Sequence, residues 1–520
     1  MKKNGVSKSL VRRVAAGLMA LMLLMPLLAA CSKGESTESA ERRVLRIGVL
    51  YGGSDNEQYF RQQYTDTFEF THPNIDLEIA YAINYDDMRY TQPGQEQEQK
   101  DPYEEFKKLL TGQNPVDVVV LDYNMLKRLT QDNLLKQLDP LIQQDEFDLS
   151  DYVPTVIDGI KEAGEGNIYA LTPTFSSSAL FYNKEIFQKA GVEPPTDNMM
   201  WEDVINKARE VSKGEGKERT FGLMLSRWSY QGFWDMQNYA SPLQLKIFDD
   251  KGERMTVNTE GWAKVWETIV KLYKDKLTPT QEDLNALMEE MNKSGDSYGY
   301  RPYSDDFFMN GRVAMVIADY GYINDLIRAK DMSATNKDIK AIDWDVVTVP
   351  QHPEKPGVGG NVYLSQLMGV NANAQNPDDA WEFVKFSNSR EWAKLKSRST
   401  YEMVARKEFL QPKGGLDYNI QAFYSLKPLP PQSLEQEKLY REIPGIWEAQ
   451  QPGEQLFNEV LQGNKTIKEA LAEWETKGNE VLQRLKQNKS NNGKDTQSSG
   501  VEVLPVPETK AEEAEEAKTE

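Results

Sequence analysis

The 520-residue chain carries 61 Lys and Arg against 81 Asp and Glu, a net charge of −20, with 39% hydrophobic and 10% aromatic residues, one Cys and two His. This acidic balance argues against a general nucleic-acid binder, which neutralises phosphates with a basic face. A lone Cys makes neither an internal disulfide nor a Cys-x-x-Cys site, and His72 and His352 lack zinc-ligand spacing, so no metal and no cofactor are expected. At roughly 100 to 200 residues per domain, the length calls for more than one core.

Lys2, Lys3, Lys8, Arg12 and Arg13 precede an uncharged run from Val14 to Ala30 that stops at Cys31. Basic residues, an apolar run and small residues before a cut are the layout of an export signal. The run is shorter than the about 20 residues that a spanning helix needs; an uncleaved membrane anchor is the competing possibility. Leu28-Ala29-Ala30-Cys31 resembles a bacterial lipobox. The resemblance implies that residues 1–30 are a lipoprotein signal peptide and that Cys31 becomes the lipidated first residue, holding the chain to a membrane. Residues 31–43, Ser and Glu rich without apolar periodicity, are expected to form a flexible tether.

Val44–Leu50 is a compact apolar run and Ile75–Ile79 alternates strictly, which predicts two strands, with aromatics at helical intervals between Asn56 and Phe70. A helix is expected over Glu104–Leu110, a break at Gly112-Gln-Asn-Pro115, a strand over Val116–Leu121 and a helix from Met125. Alternating helices and apolar strands argue for α/β layers with a largely parallel sheet. A second such block runs from Thr174 to Thr348, with helices near Trp201–Val211 and Glu260–Lys276 and strands near Phe221–Leu225 and Val313–Ile317. Asp250-Lys-Gly252 reads as a solvated turn, because the twelve-residue calcium-loop pattern is missing. Ala380–Phe386 and Thr466–Leu485 read as amphipathic helices, the second with Trp474 facing a core. Residues 488–520 hold Ser, Asn, Gly, Pro and a Glu-rich end, with too little apolar area to offset ordering, and are expected to be a disordered acidic tail.

Four stretches in order carry a family resemblance. They are VDVVVLDYNMLKRLTQDNLLKQLDPLI, IYALTPTFSSSALFYNKEIFQKAGVEPP with MMWEDVINKARE, FFMNGRVAMVIADYG, and WDVVTVPQHPEKPGVGGNVYLSQLMGVNANAQNPDDAWEFVKFSNS. Together they resemble extracellular solute-binding protein family 1, the maltose-binding-protein-like lipoproteins that serve ATP-driven importers. The resemblance implies an α/β, two-lobed periplasmic-binding-protein-like fold of class II, each lobe a mixed sheet flanked by helices. Ile168–Pro173 and Val346–Pro350 are expected to be hinge strands. The expected domains are lobe 1 over 44–172 plus 351–404 and lobe 2 over 173–350 plus 405–487. Ligand would bind at the carboxyl ends of the strands.

Aromatic residues suit a hydroxyl-rich ligand, because a ring covers the apolar face of a sugar. The candidate contacts are Tyr51 and Asp55 after the first strand, Asp122 and Asn124 after the next, and Phe175 and Ser176 beside the first crossing. Asp122 equally suits an ordinary capped turn. Arg227-Trp-Ser-Tyr-Gln-Gly-Phe-Trp234 packs four rings and an Arg into a stretch with little apolar periodicity, which singles out Trp228 and Trp234. The family usually places a tryptophan platform after its A-M pair, whereas here Ala314-Met315 is followed by Asp319 and Tyr320, a departure that lets a tyrosine stand in and leaves room for a glycan other than a maltodextrin, a peptide or a charged solute. Asn361 and Tyr363 follow the Gly357-Val-Gly-Gly360 loop and complete the set.

The expected function is that of a lipid-anchored protein on the extracellular face of the cell membrane. It would pass a carbohydrate or oligosaccharide to the permease subunits of an ABC importer by closure of its lobes, as a monomer and without nucleic acid. A ligand-sensing lipoprotein that signals to a membrane sensor needs the same cleft. A glycan-active enzyme would need two carboxylates roughly 5 to 10 Å apart across a cleft, which adjacency such as Asp305-Asp306 does not supply. No enzymatic activity is expected, and the missing G-x-x-x-x-G-K-[ST] motif means the chain is not itself the ATPase.

Overall fold

The computed structural model describes residues 42–89, 100–228, 230–293, 303, 305–337, 339–398, 402–431 and 433–492. Its strands are β1 (Arg43–Gly52), β2 (Ile75–Asn84), β3 (Val118–Leu121), β4 (Ala170–Leu171), β5 (Thr174–Asn183), β6 (Phe221–Met224), β7 (Val313–Asp319), β8 (Trp344–Val347), β9 (Val362–Tyr363), β10 (Leu367–Val370) and β11 (Met403–Val404). They fall into two compact units. Unit 1 runs up to Ser177 and takes in Val362–Gln411; unit 2 takes in Ser178–Asn361 and the chain from Pro412.

Unit 1 is built on a sheet of order β2-β1-β3-β10-β4. β1 pairs parallel with β2 and β3, and β10 runs antiparallel to β3 and β4. All four residues of β3 are buried, as expected of a strand covered on both faces. Asp117, just before it, is buried and accepts the backbone N–H groups of Arg46 at 3.1 Å and Asn376 at 2.8 Å, tying β1 to the start of the helix Pro377–Ser387. That helix buries Trp381 and Phe383, and Trp381 Nε1 donates to Asp145 at 2.9 Å. The first half of β5 adds pairings to β9 and β11 within this unit.

In unit 2 the second half of β5 pairs antiparallel with β7 and β8, and β6 lies parallel to β7. Gly222 in β6 has a packing reason. A Cβ there would stand 2.2 Å from the Ala208 carbonyl oxygen, so the helix Trp201–Val211 lies against bare backbone. The helix Glu260–Lys274 starts on a Thr259 cap and buries Trp266, whose ring lies 5.0 Å from Phe457 and 5.9 Å from Trp474. Trp474 itself is fully buried and donates from Nε1 to the Ala449 carbonyl at 3.1 Å. Its helix, Ile467–Asn492, begins on a reciprocal cap. Thr466 N–H donates to Glu469 at 2.9 Å, and Glu469 N–H donates back to Thr466 Oγ1 at 3.2 Å.

Several expectations change. The pieces expected to be hinge strands are strands within the sheets: Ala170 and Leu171 are buried beside β10, and Val346 and Val347 are buried beside β5. The chain passes between units at Ser177–Ser178, at Asn361–Val362 and at Gln411–Pro412, three crossings as expected. Residues 173–177 and 405–411 thus belong to unit 1 and 351–361 to unit 2, which moves the boundaries expected at 172, 350 and 404. The stretch read as lacking apolar periodicity holds the start of a helix, Gly232–Ala240, that buries Phe233 and Met236. Residues 488–492, expected in the tail, continue the terminal helix. The signal peptide, the lipobox with Cys31, the tether up to residue 41 and residues 493–520 lie outside the described residues. Among the described residues no helix is long and apolar enough to cross a membrane, and no group of three or more His, Cys, Asp or Glu is placed to hold a metal ion.

Candidate ligand-binding surfaces

In unit 1 the parallel strands β1, β2 and β3 end side by side, and polar and aromatic residues gather there. Tyr51, 47% exposed, stacks on Tyr85 with centroids 6.5 Å apart and planes at 13°. Gly52 makes room for this corner, since a Cβ would stand 2.2 Å from the Tyr81 ring. Asp55 forms an exposed ion pair with Arg89 at 2.6 Å, which holds its carboxyl below the usual carboxylate range. Asp86 accepts from Ser54 N–H at 2.8 Å and so fastens the end of β2 to the loop after β1. Beyond β3, Asp122 accepts from Met125 N–H at 2.8 Å and caps the helix Tyr123–Gln131, while Asn124 sits half-buried in its first turn.

Two strands of unit 1 carry the remaining candidates. Ser176 in β5 stands in register with Tyr363 in β9, and Tyr363 is exposed. Phe175 departs from expectation: it has no exposed surface and lies in the core opposite Met403.

In unit 2 the corresponding ends are those of β6 and β7. Arg227, three residues beyond β6, is fixed by two carboxylates: Nε donates to Asp306 at 2.8 Å and Nη1 to Asp325 at 2.7 Å. Tyr322 donates its hydroxyl to the same Asp306 at 2.9 Å. The guanidinium lies 4.1 Å from the Tyr322 ring centroid and 4.5 Å from that of Trp228. Asp306 is buried, which pushes its carboxyl up against the opposing pull of Arg227. The outcome is a stack of Tyr322, Arg227 and Trp228. Arg227 is 13% exposed at its side chain, and Trp228, resting on it, is 59% exposed. Trp234 is also half exposed, on the helix Gly232–Ala240.

Beyond β7, Asp319 is exposed, but Tyr320 is no platform. Its ring is buried edge-on to Phe423, with centroids 5.3 Å apart, and Lys413 Nζ sits 4.0 Å from the ring centroid. Burial pushes the Tyr320 hydroxyl up and the Lys413 ammonium down to about 8. Asn361 is a second departure. It is buried, and its Nδ2 donates to the Ser178 carbonyl at 2.8 Å, which makes it a backbone tie.

The sequence reading missed Tyr85 and the carboxylates behind Arg227. Tyr85 follows Asn84 at the end of β2, so the strand-end rule that found Tyr51 points to it as well. Asp306 and Asp325 lie 79 and 98 residues from Arg227, and no local signal marks them.

The family model described as bacterial extracellular solute-binding protein matches residues 52–394. Among curated relatives, the sn-glycerol-3-phosphate-binding periplasmic protein UgpB of Escherichia coli strain K12 is 24% identical over 351 residues, covering 65% of this chain and 73% of the relative. The protein of the same name from Pectobacterium atrosepticum is 24% identical over 353 residues, covering 66% and 72%. A sugar transporter from Rhizobium etli in an open conformation superposes with a TM-score of 0.55 at 18% identity, over 84% of this chain and 98% of that one. The sugar-binding protein MalE from Xanthomonas citri gives 0.54 at 16% identity, over 86% and 99%. At such identities the solved structures speak to the fold. It is the α/β class read from the sequence, with mixed strand directions in both units.

Proposed function

Because the chain belongs to the bacterial extracellular solute-binding protein family, we propose that it captures a neutral, hydroxyl-rich ligand, a carbohydrate or oligosaccharide, and delivers it to the permease subunits of an ABC importer. The observation that carries this reading is Trp228, an exposed indole held on the face of Arg227. An aromatic face covers the apolar side of a sugar at little conformational cost when the ring is already fixed. The relatives' names offer a phosphorylated ligand and sugars, and the charge around Trp228 favours the sugar. Arg227 is engaged by Asp306 and Asp325. Turning it to an anion would leave the buried Asp306 uncompensated, an arrangement that costs several kcal/mol.

Export through residues 1–30 and lipidation at Cys31 place the protein on the outer face of the membrane as a monomer. Residues 31–42 serve as its tether to β1, and residues 493–520 supply a Glu-rich end to the sequence. Cys31→Ser is expected to abolish lipid labelling and release the protein or leave its precursor uncut; unchanged labelling contradicts the anchor. The ligand class is tested by a thermal-shift screen of the full chain against neutral mono- and oligosaccharides and glycerol 3-phosphate. A true ligand at about 100 times its Kd adds about 2.7 kcal/mol of stability. Stabilisation by the phosphate alone would refute the carbohydrate reading.

A further inference from the structure

In unit 1 the helices Ser54–Phe60 and Asp66–Thr71 are joined by the π-helical turn Arg61–Thr65. The wider pitch of that turn keeps Phe60, Tyr64 and Phe68 buried at intervals of four and leaves Tyr59, Gln62, Asp66 and Phe70 exposed. Phe70 is 87% exposed and Tyr59 65%. The helix Arg390–Lys396 lies alongside. Its Trp392 stacks on Tyr64 with centroids 6.4 Å apart and planes at 10°, and Lys396 donates from Nζ to the Gln62 carbonyl at 3.2 Å. This helix and the turn after it add Leu395, 57% exposed, and the bases Lys394, Lys396 and Arg398. The exposed acids beside them are Asp66 and Glu391, while Glu69 is engaged by Arg61. The patch is therefore locally basic in a chain of net charge −20.

Exposed large apolar side chains mark a surface made to be covered. Rings and aliphatic groups that enter the headgroup level, flanked by Lys and Arg that meet phosphates, suit an anionic lipid interface. The route of the chain points to the same occupant. Arg43, the first residue of β1, donates its backbone N–H to the carbonyl of Asn74, four residues beyond Phe70, at 2.9 Å. The tether thus enters unit 1 near Phe70. The twelve residues from Ser32 to Arg43 span about 40 Å when fully extended, so a chain anchored at Cys31 holds this part of unit 1 close to the bilayer. We infer that unit 1 rests on the membrane through Phe70, Tyr59 and Leu395, with Lys394, Lys396 and Arg398 set against anionic headgroups. The inference rests on the lipid anchor proposed above and gives that anchor a second, protein-borne membrane contact.

The test uses the acylated protein carrying a fluorophore at Gln62→Cys, reconstituted on phosphatidylcholine vesicles with and without phosphatidylglycerol. Quenching of the label by brominated phospholipid reports its contact with the bilayer. Quenching is expected to be about threefold stronger with phosphatidylglycerol and to weaken with salt. Phe70→Ser combined with Tyr59→Ser and Leu395→Ser should abolish it while Tm holds and the protein still floats with the vesicles. Lys394→Gln combined with Lys396→Gln and Arg398→Gln should remove its dependence on phosphatidylglycerol. A label that is never quenched on vesicle-bound protein overturns the inference and leaves the anchor standing. Protein that does not float with vesicles removes the anchor, and the inference with it. An unquenched label together with loss of ligand uptake by cells carrying Phe70→Ser assigns the face to a protein partner and overturns the membrane contact.

Discussion

At the strand ends of unit 1, Tyr51 leans on Tyr85, and the nearby charges, Asp55 and Arg89, pair in the open. At those of unit 2, Trp228 leans on a guanidinium whose carboxylate partners come from the loop before β7 and the helix after it. Both arrangements fix an aromatic ring, but by different means. The tyrosine pair depends on two neighbouring strand ends and can be altered without disturbing what lies beneath. The tryptophan depends on an ion-pair network rooted in a buried carboxylate, so its orientation and the stability of unit 2 are coupled. The two surfaces therefore call for different substitutions if binding is to be separated from folding.

The largest expected effect is on stability. Arg227→Met strands Asp306 as a buried, uncompensated carboxylate, which costs about 3 to 5 kcal/mol. The matching change in unit 1, Arg89→Met, breaks an exposed pair and should leave the urea midpoint unchanged. Equal losses from the two would erase the distinction drawn here. Next comes Trp228→Ala, which removes an exposed ring: ligand affinity should fall five- to tenfold while Tm holds, checked by titration and calorimetric melting. Tyr51→Ala should weaken binding less, several-fold, because Tyr85 still offers a ring; Tyr51→Ala with Tyr85→Ala should match the loss at Trp228.

A separate effect concerns pH. Lys413 has its folded value lowered to about 8 by burial, below the ordinary lysine value of 10.5. Between those values the unfolded chain holds the extra proton, so this residue's contribution makes the fold more stable as pH rises through that window. Stability of Lys413→Met relative to wild type should therefore be greatest below pH 8 and shrink towards pH 10. A difference flat over that range would show that Lys413 is well solvated.

Where the sequence was legible, local pattern and tertiary environment agreed. β1, β2 and β3 stood out because alternation or a continuous apolar run matches the face each strand buries. The terminal helix stood out through Trp474 and its core-facing neighbours. Phe175 and Tyr320 misled for a shared reason. Each sits beside a strand end or crossing where a rim is expected, yet its ring is covered by chain distant in sequence: β11 lies beside Phe175, and Lys413 and Phe423 cover Tyr320. Asn361 follows a glycine loop that suggests exposure, but its amide satisfies the Ser178 carbonyl at the middle of β5. Asp122 was correctly read as able to cap, since an Asp between a strand and a helical run has a backbone partner within reach. Arg227 was visible as a charge among rings, whereas its compensation, on which the proposed ligand class rests, was not.

The central claim, a neutral carbohydrate bound on Trp228 over a charge-compensated arginine, is tested most directly by calorimetric titration of the full chain at low and high salt, about 0.02 and 0.5 M. Exposed ionic contacts weaken over that range, whereas contacts of a neutral ligand do not. The account predicts that a neutral saccharide binds with salt-independent affinity and that glycerol 3-phosphate gives no binding heat. Binding of glycerol 3-phosphate that weakens with salt, with every neutral saccharide silent, would contradict it.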